Sequence, residues 1–299
     1  MLIDVHGHCV RTREIPYCTS GKPLVWPELL LAMHREAGID RGVLMPIIGP
    51  ENASVIQSNE EVLEIAAASE GHFIPFCNLD PRMLFNHPNA DFGFLLEHYK
   101  AKGCCGVGEL TANLSFTDPR VLNYLAHVER SGLPLTFHIA TREGNTYGLV
   151  DDFGLPRLET VLQSFPELRF LGHSQAFWSH ISADVTPETW GGYPRGPVQP
   201  GRVVELLRRY PNLHGDLSAG SGFIAVSRDP GFGYEFLDEF QDRLLFGTDV
   251  CQEQNRSSVL INLRDFLAAG LAEKRISRVV YDKVTHLNAM RLLELPCGN

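Results

Sequence analysis

The sequence predicts an α/β fold in which eight parallel strands alternate with helices and close into a (β/α)8 barrel, the TIM barrel. Three observations support this prediction: eight short apolar runs, helical patterns between them, and polar residues at the ends of the runs. The chain has 299 residues, of which 44% are hydrophobic and 21% charged. This length and composition suit one barrel domain over residues 1–299. An open doubly wound sheet is disfavoured because no glycine-rich phosphate loop follows the first run.

The eight apolar runs have the length and the β-branched or aromatic content of buried strands. They end near residues 8, 48, 79, 109, 138, 173, 217 and 249. The ends therefore recur roughly every 30 to 45 residues, which is the size of one strand–helix unit in a barrel.

The segments between the runs predict helices with recognisable ends. In residues 58–71, Ser58 is placed to cap the first turn, Glu61 to complete a capping box, and Gly71 to end the helix. Residues 118–132 and 201–211 follow the same helical pattern. The final stretch, residues 276–295, has apolar residues at helical spacing and predicts a helix that packs as the closing element.

One connection is unusually long and irregular. Residues 174–201, after the sixth strand, contain several Pro and Gly residues and show weak periodicity. Because the loops that follow barrel strands form the rim of the active site, this rim loop is predicted to be a lid or specificity loop. An insertion without a role remains the alternative, and the role of His180 is left open. The aromatic and cationic residues it offers are Trp178, Trp190, Tyr193 and Arg195.

Polar residues concentrate where the predicted strands end, which in a barrel is the catalytic face. They are His6, His8, Asp80, Glu109, His138, His173, Asp216 and Asp249. Residues two apart in a strand project to the same side, so His6 and His8 can reach one ion. Such a pair also arises by chance, but further histidines and an aspartate at the same barrel end favour a metal site. These ligand types suit Zn²⁺, with Mn²⁺ or Fe²⁺ as alternatives.

Five motifs carry a family resemblance that covers essentially the whole chain: IDVHGH, TFHIA, LGHSQAFW, NLHGDLSAGSG and LLFGTDV. With them the sequence resembles the amidohydrolase superfamily, in the branch that includes aminocarboxymuconate-semialdehyde decarboxylase. The resemblance implies a distorted, amidohydrolase-type barrel with His6, His8, His138 and Asp249 as metal ligands. It also implies that Asp249 moves a proton and that His173 lies beside the metal to polarise or protonate the substrate. The chemistry of these side chains supports the same catalytic roles.

The fourth strand departs from the binuclear pattern of that family, in which a carboxylated lysine is usual. Here the position is Glu109, which is open to three roles: an additional ligand, a bridge between two ions, or a carboxylate that orients a histidine. A mononuclear site with Glu109 in or next to it is favoured. Asp4 lies deeper in the barrel than His6, and we expect it to make a structural hydrogen bond. His214 and Asp216 share one face of the seventh strand, where they are expected either to support the site or to pack in the core.

Two enzymatic hypotheses follow. The first is hydrolysis of an amide, ester or lactone bond of a small carboxylic-acid-like substrate by metal-activated water. The alternative is non-oxidative decarboxylation, or hydration, of an unsaturated or aromatic acid, and a third hypothesis is a non-catalytic binding barrel. An acid substrate needs cations, and Arg11, Arg13 and Arg142 lie near strand ends or in rim loops. The predicted substrate-binding residues are Arg195, Trp178 and Arg82, although Arg82 also suits a structural salt bridge.

The composition of the sequence limits the classes of partner that the protein is expected to bind. The net charge of -10 disfavours nucleic-acid binding, which requires clustered Lys and Arg. No apolar run is long enough to span a bilayer and no signal peptide is apparent, which predicts a cytoplasmic protein with a small-molecule substrate. The resemblance allows a homodimer.

Seven cysteines without a CxxC pair predict reduced thiols, and two of them, Cys9 and Cys251, are placed to line the site. The histidines predicted on helices or at their ends are expected to pack or to lie on the surface. They include His34, His72, His98 and His127.

Overall fold

The computed structural model describes residues 1–18, 20–51 and 55–296. Nine strands, all paired in parallel, occur within these residues. They are β1 Ile3–Asp4, β2 Arg41–Leu44, β3 Phe73–Pro75, β4 Val107–Leu110, β5 Leu135–Ala140, β6 Leu149–Val150, β7 Phe170–His173, β8 Leu213–Asp216 and β9 Leu244–Leu245. The short β6 pairs only with the end of β5 and lies outside the barrel path. The other eight strands confirm the predicted barrel.

The barrel closes through two short contacts between its sheets. One sheet has the order β1-β2-β3, and the other has the path β4-β5-β7-β8-β9. Cys77 bridges to Val107 between β3 and β4, and Gly7 bridges to Val250 between the ends of β1 and β9. At this second seam the Asp249 amide donates to the carbonyl of His6 at 2.8 Å. The chain thus brings residues from its two ends together at the polar rim.

Helices alternate with the strands and cover the outside of the barrel. They are α1 Pro27–Ala37, α2 Asn59–Ala68, α3 Met83–Asn86, α4 Gly93–Ala101, α5 Pro119–Ser131, α6 Pro156–Ser164, α7 Gln175–Ser179, α8 Arg202–Arg209, α9 Ala219–Ser227, α10 Pro230–Glu239, α11 Asn262–Ala272, α12 Arg278–Asp282 and α13 Asn288–Leu292. A 3₁₀ turn spans Glu253–Ser257, and a π-helical turn, Lys283–Leu287, joins α12 to α13. None of the helices in the described residues combines the length and apolarity that a membrane crossing requires.

The start of α2 follows the sequence prediction only in part. Ser58 caps the helix, since its Oγ accepts from the Glu61 amide at 3.1 Å, and the helix ends before Gly71. The Glu61 carboxylate does not complete a capping box. It accepts instead from the Arg11 amide at 3.0 Å and from the Gln57 side chain at 2.9 Å, so it ties the loop after β1 to α2.

The C-terminal helix closes one end of the barrel, as predicted. Ala289 and Leu292 of α13 and the next residue, Leu293, are buried. They belong to the same apolar cluster as Ile3 of β1 and Leu171 of β7. A second and larger cluster lies between the strands and the outer helices. Burial of this apolar area is the main stabilising contribution to such a fold.

Asp4 links the first and last barrel strands beneath the polar rim. Its side chain is fully buried and accepts from the amides of His6 and Thr248, at 3.0 and 2.8 Å. Its Oδ2 lies 3.4 Å from Nε2 of the buried His34, whose Nδ1 lies 3.0 Å from Nε2 of His72. Both Asp4 and His34 therefore have structural roles, as the sequence predicts.

Candidate metal centre

His6 and His8 present two lone pairs to the same point. His6 Nδ1 lies 2.6 Å from Asp216 Oδ2, and His8 Nδ1 lies 3.0 Å from the carbonyl of Met45. An ionised carboxylate and a carbonyl only accept hydrogen bonds, so each Nδ1 carries a hydrogen, and in the neutral ring each Nε2 keeps a lone pair. These two Nε2 atoms are 3.2 Å apart. That is close to the separation, about 3.4 Å, of two nitrogens that each lie about 2.1 Å from one tetrahedral Zn²⁺.

Two carboxylates complete the surroundings of these nitrogens. Glu109 Oε2 lies 3.7 Å from Nε2 of both His6 and His8. Asp249 Oδ1 lies 3.7 and 3.8 Å from the same two atoms. Ligand atoms of His6, His8 and Asp249 all lie within 4.8 Å of one another, and a second such group joins His6, Glu109 and His173. Nitrogen and carboxylate donors at these separations fit a divalent transition metal.

His138, a predicted metal ligand, contacts Glu109 in this structure. It lies on β5, and its Nδ1 is 2.8 Å from Glu109 Oε1. It belongs to neither of the two groups of converging ligand atoms. In this arrangement its contact orients Glu109, the carboxylate that sequence reasoning left open, and direct metal binding by His138 stays a prediction.

His173 is held by a network from β8. Its Nδ1 lies 3.0 Å from Ser218 Oγ and 3.5 Å from Asp216 Oδ2. Its Nε2 points into the site, 3.8 Å from both Glu109 Oε1 and Asp249 Oδ2. When the Ser218 hydroxyl donates to Nδ1, Nε2 carries the hydrogen and offers it to the site. Asp216 thus holds His6 through a hydrogen bond and lies close to His173, whereas the neighbouring His214 makes no such contact.

The charges of this cluster are mutually dependent. Burial opposes ionisation of Asp216, but the facing rings of His6 and His173 outweigh it and hold its pKa below the usual value. The pKa of Glu109 is also well below its usual value, because His138 and His6 overcome the effect of burial. Burial lowers the pKa of His8, and the charge of His6 lowers it further. The two buried carboxylates are thus ionised, which favours positive charge on the histidines that face them.

Left-handed backbone at three successive strand ends turns the chain into the site. Ser174 follows β7 with φ 106°, Ala219 follows β8 with φ 59°, and Asp249 follows β9 with φ 56°. Asp tolerates this region, but Ala and Ser rarely adopt it. Such conformations persist where surrounding contacts impose them, and they are concentrated at functional sites. Because none of these residues is glycine, the sequence carries no sign of the turns.

A cavity of about 890 Å³, measured to its open mouth, lies above the cluster. Leu24, Pro46 and Ile47 form an apolar wall, and Tyr17 and Tyr147 add two phenols. The remaining lining residues are His8, Glu51, Glu109, Thr111, His138, His173, Gln175, Ala219, Asp249 and Cys251. Sequence reasoning missed the two tyrosines and Gln175, because they lie in loops or at a helix start without a distinguishing pattern.

The cysteines behave as small side chains. Cys251 lines the cavity, as predicted, and burial raises the pKa of its thiol, so it is a neutral group there. Cys9 is buried behind the cavity and does not line it. Cys297 lies outside the described residues.

Arg82, for which the sequence allows either substrate binding or a structural salt bridge, is held in ion pairs. Its guanidinium makes a two-pronged contact with Glu51, at 2.6 and 2.7 Å, and further contacts with Asp80. These ion pairs raise its pKa above the usual value. Its donors are therefore occupied, and the structural salt bridge is the role that the geometry supports.

Trp178 is buried and packs within the barrel wall. Its side chain is 2% exposed, its Nε1 donates to the Asp216 carbonyl at 2.8 Å, and its ring packs on Phe177 and Phe236. It does not line the cavity above the cluster. Trp178 instead fixes the strand end that carries Asp216.

The rim loop is packed and partly helical. His180 is buried, its Nδ1 donates to the Ala176 carbonyl at 2.8 Å, and its Nε2 accepts from the Gly154 amide at 3.1 Å. Trp190 is also buried, and its carbonyl accepts from Ser179 Oγ. Arg195 is exposed and does not line the cavity, so its predicted contact with substrate is not supported.

No Lys or Arg lines the cavity within the described residues. Arg11 pairs with Glu64, Arg13 pairs with Glu28, and Arg142 is exposed. The residues outside the described ranges contain neither Lys nor Arg. The cavity therefore offers only uncharged and acidic side chains around the histidines.

Comparisons with known proteins agree with this fold. A family model described as "Amidohydrolase" matches residues 3–295. No curated protein matches the sequence significantly. A probable 2-pyrone-4,6-dicarboxylic acid hydrolase from Acinetobacter baumannii, solved with citric acid bound, is similar at 14% identity and a TM-score of 0.58, over 98% of this chain and 99% of that one.

Two further solved structures are similar. A 5-carboxyvanillate decarboxylase from Sphingomonas paucimobilis shares 15% identity over 99% of each chain, with a TM-score of 0.57. An amidohydrolase from Burkholderia multivorans, solved with bound zinc, shares 15% identity over 99% of this chain and 100% of that one, also with a TM-score of 0.57. At these identities the likeness concerns the fold.

Proposed function

Because the chain belongs to the amidohydrolase family, whose members depend on metal, we propose that it hydrolyses an ester, lactone or amide bond of a small uncharged substrate. The observation that carries the proposal is the pair of Nε2 atoms of His6 and His8, 3.2 Å apart and flanked by Asp249 and Glu109. A divalent cation bound by these nitrogens would balance the negative charge of the two carboxylates.

We propose that His6, His8, Asp249 and Glu109 hold one divalent metal, with Zn²⁺ favoured and Mn²⁺ or Fe²⁺ as alternatives. His138 keeps Glu109 in place through the 2.8 Å contact. The zinc of the Burkholderia multivorans amidohydrolase supports this choice of metal. When bound, the metal supplies Lewis acidity, which polarises a carbonyl and makes water more acidic.

The chain's own residues would divide the proton transfers. Asp249 Oδ1 faces the two histidine nitrogens, whereas its Oδ2 faces His173. We assign Oδ2 to accept a proton from the attacking water and to return it to the leaving group. His173, held by Ser218 and Asp216, donates from Nε2 to the oxygen of the attacked carbonyl.

The charge of the cavity favours hydrolysis of a neutral substrate over decarboxylation of an acid. A substrate with several carboxylates needs cations to replace its lost hydration, and neither Lys nor Arg lines the described cavity. The hydrolase and decarboxylase neighbours fit both sequence-based hypotheses, and we propose an uncharged acyl compound as the substrate of this cavity. Decarboxylation, the activity of the similar Sphingomonas paucimobilis enzyme, becomes an outcome that the assay must separate.

The test combines metal analysis with a substrate screen. Protein purified without chelator is expected to contain about one transition metal ion per chain, and chelation is expected to abolish turnover. The screen covers neutral lactones, esters and amides together with aromatic and unsaturated acids, and it records acid formation separately from CO₂ release. Acid formation from neutral compounds supports the proposal, whereas CO₂ release alone would replace it with decarboxylation. Absence of metal together with no activation by added Zn²⁺ or Mn²⁺ would exclude both.

Substitutions at the centre provide a second test. His6→Ala and Asp249→Asn are each expected to lower kcat/KM at least 100-fold, because they remove a metal ligand or the proton carrier. The exposed His98 on α4 is the control, and His98→Ala is expected to retain full turnover. The buried His34 is unsuitable as a control, because its substitution can disturb folding. Equal losses in all three variants would refute the assignment.

A further inference from the structure

A second, smaller cavity lies beside the one above the metal centre. It is a narrow cleft between α7, α9 and the rim loop, with about 220 Å³ of empty space that includes open solvent at its mouth. Ser221 and Arg228 of the α9 segment form one wall, and Tyr193 of the rim loop lies on another. Gln175 lines both this cavity and the larger one.

Arg228 is almost fully buried without hydrogen-bond partners. Its side chain is 6% exposed, yet no described protein group lies within hydrogen-bond distance of Nε, Nη1 or Nη2. The hydroxyl of Ser221 is likewise buried and unpartnered. Burying a charge whose donors are unsatisfied is strongly unfavourable. The guanidinium of Arg228 therefore lacks hydrogen-bond acceptors among the described residues.

The nearest carboxylates do not supply that acceptor. Asp184 Oδ1 lies 3.7 Å from Arg228 Nη2, beyond hydrogen-bond distance, and its side chain is 52% exposed. Asp229 directs its oxygens to the amides of Val198 and Phe232, at 3.0 and 3.4 Å. The residues that line the cavity include no carboxylate.

We propose that this cavity binds a small monovalent anion, of the size of chloride or formate, between Arg228 and Ser221. The guanidinium supplies charge and several N–H donors, and the hydroxyl supplies one more. Apolar neighbours such as Ile181 and Ile224 exclude bulk water, which strengthens the interaction with a desolvated charge. The small volume favours such an anion over a phosphate ester or a larger acid.

Anion binding links the rim loop to the catalytic cavity. Gly192, Tyr193 and Pro194 of the loop line the site opposite α9. Gln175 Nε2 donates to the Tyr193 hydroxyl at 2.9 Å, and Gln175 reaches the larger cavity. An anion at Arg228 thus holds the loop against α9 and fixes one side chain that faces substrate.

The test measures thermal stability at constant ionic strength. Chloride or bromide replaces gluconate, which is too large for the cavity, and Tm is followed as the halide concentration rises. A saturable increase of about 2–4 °C is expected for the unmodified protein. Arg228→Gln is expected to abolish the increase. Arg208→Gln, which removes an exposed arginine of α8 paired with Glu239, is the matched control and is expected to retain it.

Two measurements keep the proposal testable if Arg228→Gln fails to fold. Ser221→Ala leaves the guanidinium in place and is expected to raise the bromide concentration at half-maximal Tm shift several-fold. Crystals grown in bromide are expected to show an anomalous peak within hydrogen-bond distance of Arg228. A Tm that is independent of halide, a halide response that survives Arg228→Gln, or only water in the bromide crystals would overturn the proposal.

Discussion

At the scale of single residues, the candidate site depends on the residues that hold its proposed metal-binding side chains as much as on those side chains themselves. Asp216 lies behind His6 and His173 and decides which nitrogen of His6 faces the centre. Sequence reasoning placed it on the correct strand but left support and packing as equal alternatives. Its role becomes visible only when β1, β7 and β8 are adjacent.

We predict that Asp216→Asn lowers metal affinity by about 10- to 100-fold, because a neutral amide holds the His6 Nδ1–H less firmly. Affinity is measured by competition with a chromophoric chelator, alongside a thermal melt. The exposed Asp238 on α10 provides the control, since Asp238→Asn leaves the site untouched. Unchanged affinity in Asp216→Asn would show that His6 does not need this partner.

The sequence predicted the residues of the centre better than those of the substrate cavity. His6, His8, Glu109, His173 and Asp249 converge because each ends a barrel strand, and strand ends can be counted along the sequence. The predictions of substrate-binding residues depended on loop conformation and on competing ion pairs, which the sequence does not determine. A guanidinium in a sequence does not reveal which carboxylate it meets after folding.

At the scale of secondary-structure elements, the close contact between two helices depends on glycine, which has no side chain. A Cβ on Gly233 of α10 would lie 1.8 Å from the Val226 carbonyl of α9. Two residues earlier, a Cβ on Gly231 would meet only the side chain of Asp229, at 3.5 Å. The two glycines belong to the same helix but face different surroundings.

We predict that Gly233→Ala destabilises the protein by at least about 3 kcal/mol, because α9 and α10 must separate. Gly231→Ala is expected to be neutral or stabilising by up to about 1 kcal/mol, since Ala is the better helix former. Denaturant unfolding of the two variants compares them directly. Equal stabilities would show that α10 shifts freely against α9.

The rim loop illustrates what element-level prediction cannot provide. Its Pro and Gly content indicated an irregular segment, and the segment does interrupt the strand–helix alternation. Yet its first residues form α7, and two further residues of the loop, His180 and Trp190, are buried. Burial of a loop residue depends on partners such as the Gly154 amide, which are distant in sequence and follow no period.

At the scale of the whole molecule, eight strands and a closing helix make one barrel, and we propose that residues 1–299 unfold as a single domain. The fold class was predictable because barrel strands are buried on both faces and therefore appear as continuous apolar runs. The extra strand β6 and the π-helical turn before α13 could not be predicted from the sequence. They have only two and five residues, and local packing determines them.

Acid stability is expected to depend on His214. Burial lowers its pKa to about 4, helped by the nearby charges of Arg243, Arg291 and Arg169. An imidazole whose folded pKa is depressed stabilises the fold above its unfolded pKa of about 6.5, and that contribution is lost as pH falls towards 4. Between pH 7 and 4 the unmodified protein is therefore expected to lose about 2 kcal/mol more stability than His214→Gln.

Urea unfolding at several pH values measures this difference. His98→Gln, at an exposed position on α4, is the control and is expected to follow the unmodified protein. Parallel stability curves for His214→Gln and the unmodified protein would contradict the assignment.

The seam between β1 and β9 has a consequence for how the protein matures. His6 and His8 leave the ribosome more than 200 residues before Asp249 and the strand that closes the ring. A nascent chain therefore holds the two histidines without their carboxylate partner until the ring has closed. We therefore expect the proposed metal to bind late in biogenesis, when it would join the first barrel strand to the last.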